Sequence, residues 1–426
     1  MAYIQQHWSI CILFAISVLV ETMPTCKYIN SQDTEVTCYE NGDTNYVLKR
    51  GLVSDNNRTI SLSLQGCRIT GMDNDSFENL YSLKYLDLSQ NQISTVKLGS
   101  LGSSKQLIYL NVSHNLLSEL QPGSFDETPN LDVLDLEGNR IKLNLGIFDR
   151  LIKLRHLDLS NNNLRGKDFD SSLFSRNTHI SYLDLSVNDM NDAPITLLDA
   201  VQVLDFLNLE RCLLKEVPMF SIRENLKTMK HLILSTNEIN DLGNGTTFTN
   251  LINLEKLNIA DNALEQLHGD VFKPMRKLKV IVLRGNRIKH LPDNLFTNMK
   301  TLANIDLSNN LIETVPVNAF RGTSVKNLNL SNNRFTYLID NFALELRNSG
   351  AKLTKFYFNQ NPWQCACLMD VVSEVKNLQI SYNSLHYDGK YPICVTTKDV
   401  FCKRHDTFNA IYTELYDDIV STANWA

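Results

Sequence analysis

Residues 154–164 read LRHLDLSNNNL, and the pattern L-x-x-L-x-L-x-x-N-x-L recurs through most of the 426-residue chain. Other copies read LKYLDLSQNQI from Leu83, LDVLDLEGNRI from Leu131 and LANIDLSNNLI from Leu302. The asparagine of the pattern recurs at Asn91, Asn115, Asn139, Asn162, Asn188, Asn237, Asn262, Asn286, Asn310, Asn333 and Asn361, and Cys67 and Cys212 fall in register with it. Successive positions lie 23 to 28 residues apart. A repeat of about 24 residues predicts a solenoid, in which each unit buries its apolar face against its neighbours.

Each letter of the repeat has a physical role. The L-x-L pair alternates with the period of a short strand, so both leucines point to the same side. The asparagine is expected to turn the chain sharply and to satisfy backbone groups inside the solenoid. A second apolar set is expected to form a stacked aromatic column on the convex side of the core. Its members are Phe77, Phe125, Phe148, Phe248, Phe272, Phe296 and Phe320.

This repeat resembles that of the leucine-rich repeat family, and the resemblance covers roughly residues 55 to 402. It implies an α/β solenoid, a curved horseshoe whose parallel sheet lines the concave face and whose ends carry disulfide-bonded caps. Family members typically bind their ligands on the concave face. The resemblance therefore implies that the side chains pointing out of the sheet are the candidate site.

The amino terminus predicts an export signal. Ser9 to Val20 is an uninterrupted apolar run of twelve residues, which suits a signal peptide and is too short to span a bilayer. The alternative is a buried core helix. We predict a signal peptide over 1–22, an amino-terminal cysteine cap over 23–54, the repeats over 55–361, a carboxy-terminal cysteine cap over 362–402 and a tail over 403–426. The product is expected to be secreted and not membrane-spanning.

Six of the nine cysteines lie at the two ends of the repeats. Cys26 and Cys38 precede the first unit, and the stretch NPWQCAC from Asn361 resembles the carboxy-terminal cap of extracellular leucine-rich repeat proteins. That resemblance implies the pairs Cys365–Cys394 and Cys367–Cys402, while Cys26–Cys38 would close a small amino-terminal cap. The alternative is a zinc site, whose candidate ligands are Cys365, Cys367, Cys394, Cys402, His386 and His405. Cys67 and Cys212 are expected to pack at the ladder position of the asparagine as weak donors.

The register predicts which side chains line the concave face. The amino-terminal half presents aromatic residues beside an acidic column, and the carboxy-terminal half presents basic residues. The aromatic and acidic candidates are Tyr85, Tyr109, Tyr182, Phe206, Asp135, Asp158 and Asp184, and the basic candidates are Lys230, Lys256, Lys279 and Arg284, with Lys326 and Lys355 beyond them. The first group suits a protein interface, and the second suits a phosphorylated or sulfated glycan or glycolipid.

Five sequons of the form N-x-S/T predict glycosylation sites. They lie at Asn57, Asn74, Asn111, Asn244 and Asn329. In this register Asn111 and Asn329 point into the concave face, so glycans there would leave the stretch between them open.

Composition and motifs narrow the function. A net charge of −6 argues against nucleic-acid binding. The sequence contains no hydrolase, zinc-protease or phosphate-loop motif, so we expect that the protein is not an enzyme and has no cofactor or metal site. The overall plan resembles the secreted insect haemolymph leucine-rich repeat proteins that include leureptin, which implies innate immune recognition of microbial glycolipid or glycan, such as lipopolysaccharide. The alternatives are an adhesion or ligand-sequestering module that binds a host protein, and a matrix role.

Overall fold

The computed structural model describes residues 24–50, 56–74, 76–102, 104–387, 393–396, 400–404 and 410–422. Its strands are β1 (Thr25–Tyr28), β2 (Glu35–Tyr39), β3 (Tyr46–Leu48), β4 (Ser61–Ser63), β5 (Ile69–Met72), β6 (Tyr85–Asp87), β7 (Thr95–Val96), β8 (Tyr109–Asn111), β9 (Glu119–Leu120), β10 (Val133–Asp135), β11 (His156–Asp158), β12 (Tyr182–Asp184), β13 (Phe206–Asn208), β14 (His231–Ile233), β15 (Lys256–Asn258), β16 (Val280–Val282), β17 (Asn304–Asp306), β18 (Asn327–Asn329) and β19 (Lys355–Tyr357). The α-helices are α1 (Phe342–Asn348), α2 (Cys365–Asn377) and α3 (Ala410–Thr422), and short 3-10 helices cover Gly166–Asp168, Met219–Ile222, Glu224–Leu226, Val317–Phe320 and Ser384–Tyr387.

Fifteen of the strands form one sheet, which confirms the predicted solenoid. Its order is β1-β2-β4-β6-β8, followed by β10 to β19 in sequence. All pairs are parallel except β1 with β2, which is antiparallel within the amino-terminal cap. The remaining strands form the small pairs β3–β5 and β7–β9. Because each repeat contributes one strand in an unshifted register, equivalent residues stand side by side along the sheet.

The ladder asparagines stabilise the stack from inside, as predicted. Asn310 is representative: its Nδ2 donates to the carbonyl of Leu283 in the preceding repeat at 3.0 Å, and its Oδ1 accepts the backbone N–H of Ile288 at 3.1 Å. Its Nδ2 also lies within bonding distance of two carbonyls of its own repeat. The sharp turn, however, lies one residue earlier than expected. The residue before the asparagine takes a positive φ, 55° at Asn309 and 67° at Gly138.

The predicted phenylalanine column fills the side of the core opposite the main sheet. All seven predicted members are buried, and Phe174, which was not predicted, joins the column beside Phe148. Phe272 and Phe296 stack at 5.8 Å between centroids with planes 7° apart, and Phe148 and Phe174 stack at 6.1 Å. Leucines from both halves of every repeat join these rings in one continuous core.

The cysteines form the pairs implied by the resemblance. Disulfides join Cys26 to Cys38, Cys365 to Cys394 and Cys367 to Cys402. The four cysteines of the alternative zinc site are therefore paired in two disulfides and have no free thiolate to bind a metal. Cys67 and Cys212 are free and buried at ladder positions. The Cys212 thiol lies 3.3 Å from the Leu185 carbonyl, in the place of an asparagine amide.

The carboxy-terminal cap closes the open end of the core. The Trp363 ring is fully buried against Phe335, and its indole N–H donates to the Phe358 carbonyl at 2.9 Å. The predicted tail contains α3, whose Asp417 pairs with Arg334 of the last repeats at 2.5 Å. The predicted signal peptide lies outside the described residues. Among the residues that are described, no helix is long and apolar enough to cross a membrane.

Candidate ligand-binding face

The unshifted register places the predicted concave residues in two columns. The first residue of each strand forms column one, and the third residue forms column two. From β6 to β15 column one contains Tyr85, Tyr109, Val133, His156, Tyr182, Phe206, His231 and Lys256. Over the same strands column two contains Asp87, Asn111, Asp135, Asp158, Asp184, Asn208, Ile233 and Asn258. Adjacent strands are about 4.8 Å apart, so successive members of a column are in contact range.

Three rings in the middle of column one stack face to face. The centroids of His156 and Tyr182 lie 3.9 Å apart with planes at 4°, and those of Tyr182 and Phe206 lie 4.4 Å apart with planes at 1°. His231 meets Phe206 edge-on at 6.1 Å. All four side chains are half-buried. Because the neighbouring rings cover each other's faces, the part of the stack that reaches the concave space is its row of ring edges.

The other two predicted aromatic residues form a separate pair. Tyr85 and Tyr109 lie 6.4 Å apart at 43°, and Val133 separates them from the central stack. Burial raises the pKa of the Tyr109 phenol. The predicted aromatic residues therefore form two clusters with Val133 between them.

The three predicted aspartates lie side by side in column two. Each Oδ1 accepts the backbone N–H two residues further on, from Glu137 at 3.0 Å, Ser160 at 2.8 Å and Ser186 at 2.9 Å respectively. The Oδ2 of Asp184 also accepts from Asn208 at 2.9 Å. Asp184 is only 7% exposed, whereas Asp135 and Asp158 are half-buried. These bonds hold the carboxylates in place without neutralising them.

Crowding and burial change the protonation of this group. Burial raises the pKa of Asp158 to about 6, the negative charges of Asp184 and Asp135 act in the same direction, and the hydrogen bonds from Ser160 oppose them. Burial likewise raises the pKa of Asp135 and lowers that of His156.

The carboxylate of Glu137, which was not predicted, joins the group, since single oxygens of Asp135, Glu137 and Asp158 lie within 4.8 Å of one another. Its position two residues beyond Asp135, the spacing at which strand alternation returns to the same side, is the signal that could have identified it.

The predicted basic residues lie in two different environments. Lys256 begins β15 and Lys355 begins β19, so both lie in column one. Lys230 and Lys279 come one residue before their strands and pair with Asp205 at 2.8 Å and Glu255 at 2.7 Å in the preceding repeat. Arg284 pairs with Asp261 at 2.9 Å. The ion pairs offset much of the positive charge that the sequence suggested.

Two of the five sequons lie on this face. Asn111 ends β8 and Asn329 ends β18, both in column two and both half-buried. Asn57, Asn74 and Asn244 are exposed and lie outside the strands. The eight strands from β10 to β17 thus lie between two strands, β8 and β18, that each end in a sequon asparagine.

Comparison with known proteins finds one family. Models described as leucine rich repeat match residues 59–107, 99–141, 153–175, 227–288 and 276–335. Lumican of Coturnix japonica is 29% identical over 207 residues, which cover 48% of this chain and 59% of lumican. Podocan of Mus musculus is 28% identical over 155 residues, 36% of this chain and 25% of podocan. The match thus spans less than two thirds of either relative.

A solved structure agrees on the fold. A leucine-rich repeat protein of Leptospira interrogans superposes with a TM-score of 0.62 at 22% identity, covering 76% of this chain and 84% of that protein. At this identity the likeness concerns the backbone arrangement alone.

Proposed function

The chain belongs to the leucine-rich repeat family, and on that basis we propose that it is an extracellular binding protein that holds a protein partner on its concave face. The observation that carries the proposal is the central part of that face, where half-buried aromatic rings of column one adjoin the carboxylates of column two. Aromatic side chains are the commonest anchors of protein interfaces, because they bury a large area for little loss of conformational entropy.

Rigidity supports this assignment. Tyr182 is held between His156 and Phe206, and its hydroxyl lies 3.4 Å from the Asp184 carboxylate. A side chain that is already ordered loses little freedom on binding. The central stack is therefore suited to contact a partner without rearrangement.

The disulfides support an extracellular location. Three disulfides close the two caps, and such bonds persist in oxidising compartments. The predicted signal peptide over 1–22 supports secretion as well. We propose that the protein acts outside the cell that makes it.

Recognition of microbial glycolipid or glycan is the second candidate function. It is favoured by Lys256, Lys326 and Lys355, which are exposed and have no ion pair within the part of the chain that the structure describes. Phosphate or sulfate groups could bind them through charge-assisted hydrogen bonds. Lys230, Lys279 and Arg284 contribute less, because each already has an acidic partner. Innate immune recognition, as in the haemolymph proteins, would follow from this candidate.

One experiment compares the two candidates. Purified, disulfide-bonded protein is tested against an array of secreted extracellular proteins and against lipopolysaccharide, lipoteichoic acid and peptidoglycan. Each ligand is then measured with Tyr182→Ala, with Lys256→Glu, and with the control Tyr81→Ala, which removes an exposed aromatic side chain away from both columns. We expect a protein ligand whose affinity falls at least tenfold (about 1.4 kcal/mol) in Tyr182→Ala and not in the control. Saturable glycolipid binding that only Lys256→Glu weakens would overturn the first candidate in favour of the second.

A further inference from the structure

The central concave face leaves its negative charge without a counter-ion. Within the described part of the chain, no lysine or arginine nitrogen lies within 4.0 Å of the carboxylates of Asp135, Asp158 or Asp184. The groups that face them are the half-buried His156, the exposed ring of His114, which lies 3.7 Å from Glu137, and the carboxylates of Glu137 and Asp87. None of these is a permanent cation.

The edge of the same sheet shows the opposite arrangement. Acidic side chains just before the strands pair with basic side chains of the next repeat. The pairs are Asp132–Arg155 at 3.3 Å, Asp205–Lys230 at 2.8 Å and Glu255–Lys279 at 2.7 Å, and Asp261–Arg284 at 2.9 Å repeats the arrangement after the strands. Inter-repeat pairs thus neutralise these four acids beside the strands, whereas the described residues provide no such pair in the centre of the concave face. The central carboxylates are therefore complementary in charge to a cationic group on a ligand.

The shape of the aromatic stack narrows the chemistry of that cation. A sugar ring packs on an exposed aromatic face, but the faces of Tyr182 and the adjoining faces of His156 and Phe206 are already covered. Exposed ring edges can instead pack against the aliphatic stem of a lysine or arginine. Column two lies two residues further along each strand, about 7 Å from column one. The charged end of a lysine or arginine whose stem packs on the rings can therefore reach the carboxylates of column two.

We propose that the concave face from β10 to β13 docks a basic segment of a protein partner, with lysine or arginine stems on the ring edges of His156, Tyr182 and Phe206 and their cationic ends on the half-buried Asp135 and Asp158, while the buried Asp184 adds negative charge beside them. This inference rests on the proposed function and names the chemistry of the partner. An anionic partner surface, a nucleic acid or an acidic membrane is repelled by the same carboxylates.

The test uses a probe of defined charge. A twelve-residue peptide of alternating arginine and glycine is immobilised, and its counterpart has citrulline in place of arginine, which removes the charge with little change of shape. Binding of the full secreted protein is measured at about 50 mM and about 500 mM salt. Two triple variants raise the net charge equally: D135N/D158N/D184N removes the unpaired carboxylates, and D132N/D205N/D261N removes ion-paired ones.

We expect wild-type protein to bind the arginine peptide and not the citrulline peptide, with loss at high salt. The concave triple should bind at least about tenfold more weakly, and the edge triple within about twofold of wild type. Equal weakening in both triples, or no binding by wild type, would overturn the inference.

The concave triple should fold, because asparagine already occupies this column at Asn111, Asn208 and Asn258, with the same Oδ1 hydrogen bond. The single variant Asp158→Asn, expected to be about threefold weaker, provides a milder second test.

The two proposals fail in different ways. A protein ligand that depends on Tyr182 but is unaffected by the concave triple would contradict the basic segment and leave concave-face binding intact. A protein ligand unaffected by both Tyr182→Ala and the concave triple would contradict both.

Discussion

The imidazole of His156 lies parallel to the phenol ring of Tyr182, with 3.9 Å between centroids and 4° between planes. Neighbouring strands of a parallel sheet impose nearly this spacing on equivalent side chains. The repeat therefore stacks aromatic rings wherever it places them at consecutive units. The consequence for binding is that these rings offer edges, not faces, to a ligand, while the aspartates beside them offer charge.

Asp158 should destabilise the fold at neutral pH. Its folded-state pKa is about 6, above the ordinary value of 3.8, so between these values the folded protein holds a proton that the unfolded chain has lost. Stability therefore falls as pH rises from about 4 to about 6 and stays lower above that range. We expect Asp158→Asn to raise the free energy of unfolding by about 1–2 kcal/mol at pH 7.5, after allowance for its partial exposure, and to change it little at pH 4.

Urea unfolding at the two pH values measures this effect. Asp306→Asn is the matched control, since Asp306 accepts the same two hydrogen bonds from Ser308 but has Val282 and Asn329 as its column neighbours. An equal gain in both variants would show that the burial of Asp158 and the charges of its neighbours Asp184 and Asp135 are not the cause.

Loss of one ladder amide should weaken the solenoid. In Asn310→Ala, the N–H of Ile288 loses its acceptor inside the core, while the carbonyl of Leu283 keeps only the amide of Asn286 as a donor. We expect a cost of about 1–3 kcal/mol, because a buried N–H is left unsatisfied. The control Asn240→Ala changes an exposed asparagine outside the ladder and should cost less than about 0.5 kcal/mol. Denaturant unfolding measures both, and similar values for the two variants would contradict a structural role for the ladder.

The two ladder cysteines should be chemically inert in the folded protein. Burial raises the pKa of the Cys67 thiol to about 11 and that of the Cys212 thiol to about 12, so little thiolate forms at pH 8. Iodoacetamide should label both only after denaturation, as counted by mass spectrometry. Ser118→Cys, which places a thiol at an exposed position, should be labelled in the native protein. Rapid native labelling of Cys67 or Cys212 would be inconsistent with the ladder packing.

Glycans at Asn111 and Asn329 should border the binding face. We expect both sites to carry N-glycans in secreted protein, since the side-chain amide of Asn329 makes no hydrogen bond among the described residues and both positions are half-buried. Enzymatic release followed by peptide mass spectrometry detects occupied sites as aspartate. Asn258, in the same column without a sequon, is the internal control and should remain unmodified. If Asn111 and Asn329 are found unmodified, the face available for binding extends beyond β10–β17.

The sequence alone determined the repeat, its register and the location of the core. The units carry strand, ladder and apolar positions at a spacing of 23 to 28 residues, so one unit predicts most of the next, and the cysteine pairs followed from the cap resemblance. Contacts that depend on side-chain reach were decided by the tertiary structure. Lys230 and Lys279 could point to solvent or to a neighbour, and only the stacked strands bring Asp205 and Glu255 within 2.8 Å. The ring geometry of His156, Tyr182 and Phe206 and the raised pKa of Asp158 likewise arise between repeats, because they depend on distances across the sheet that no single repeat contains.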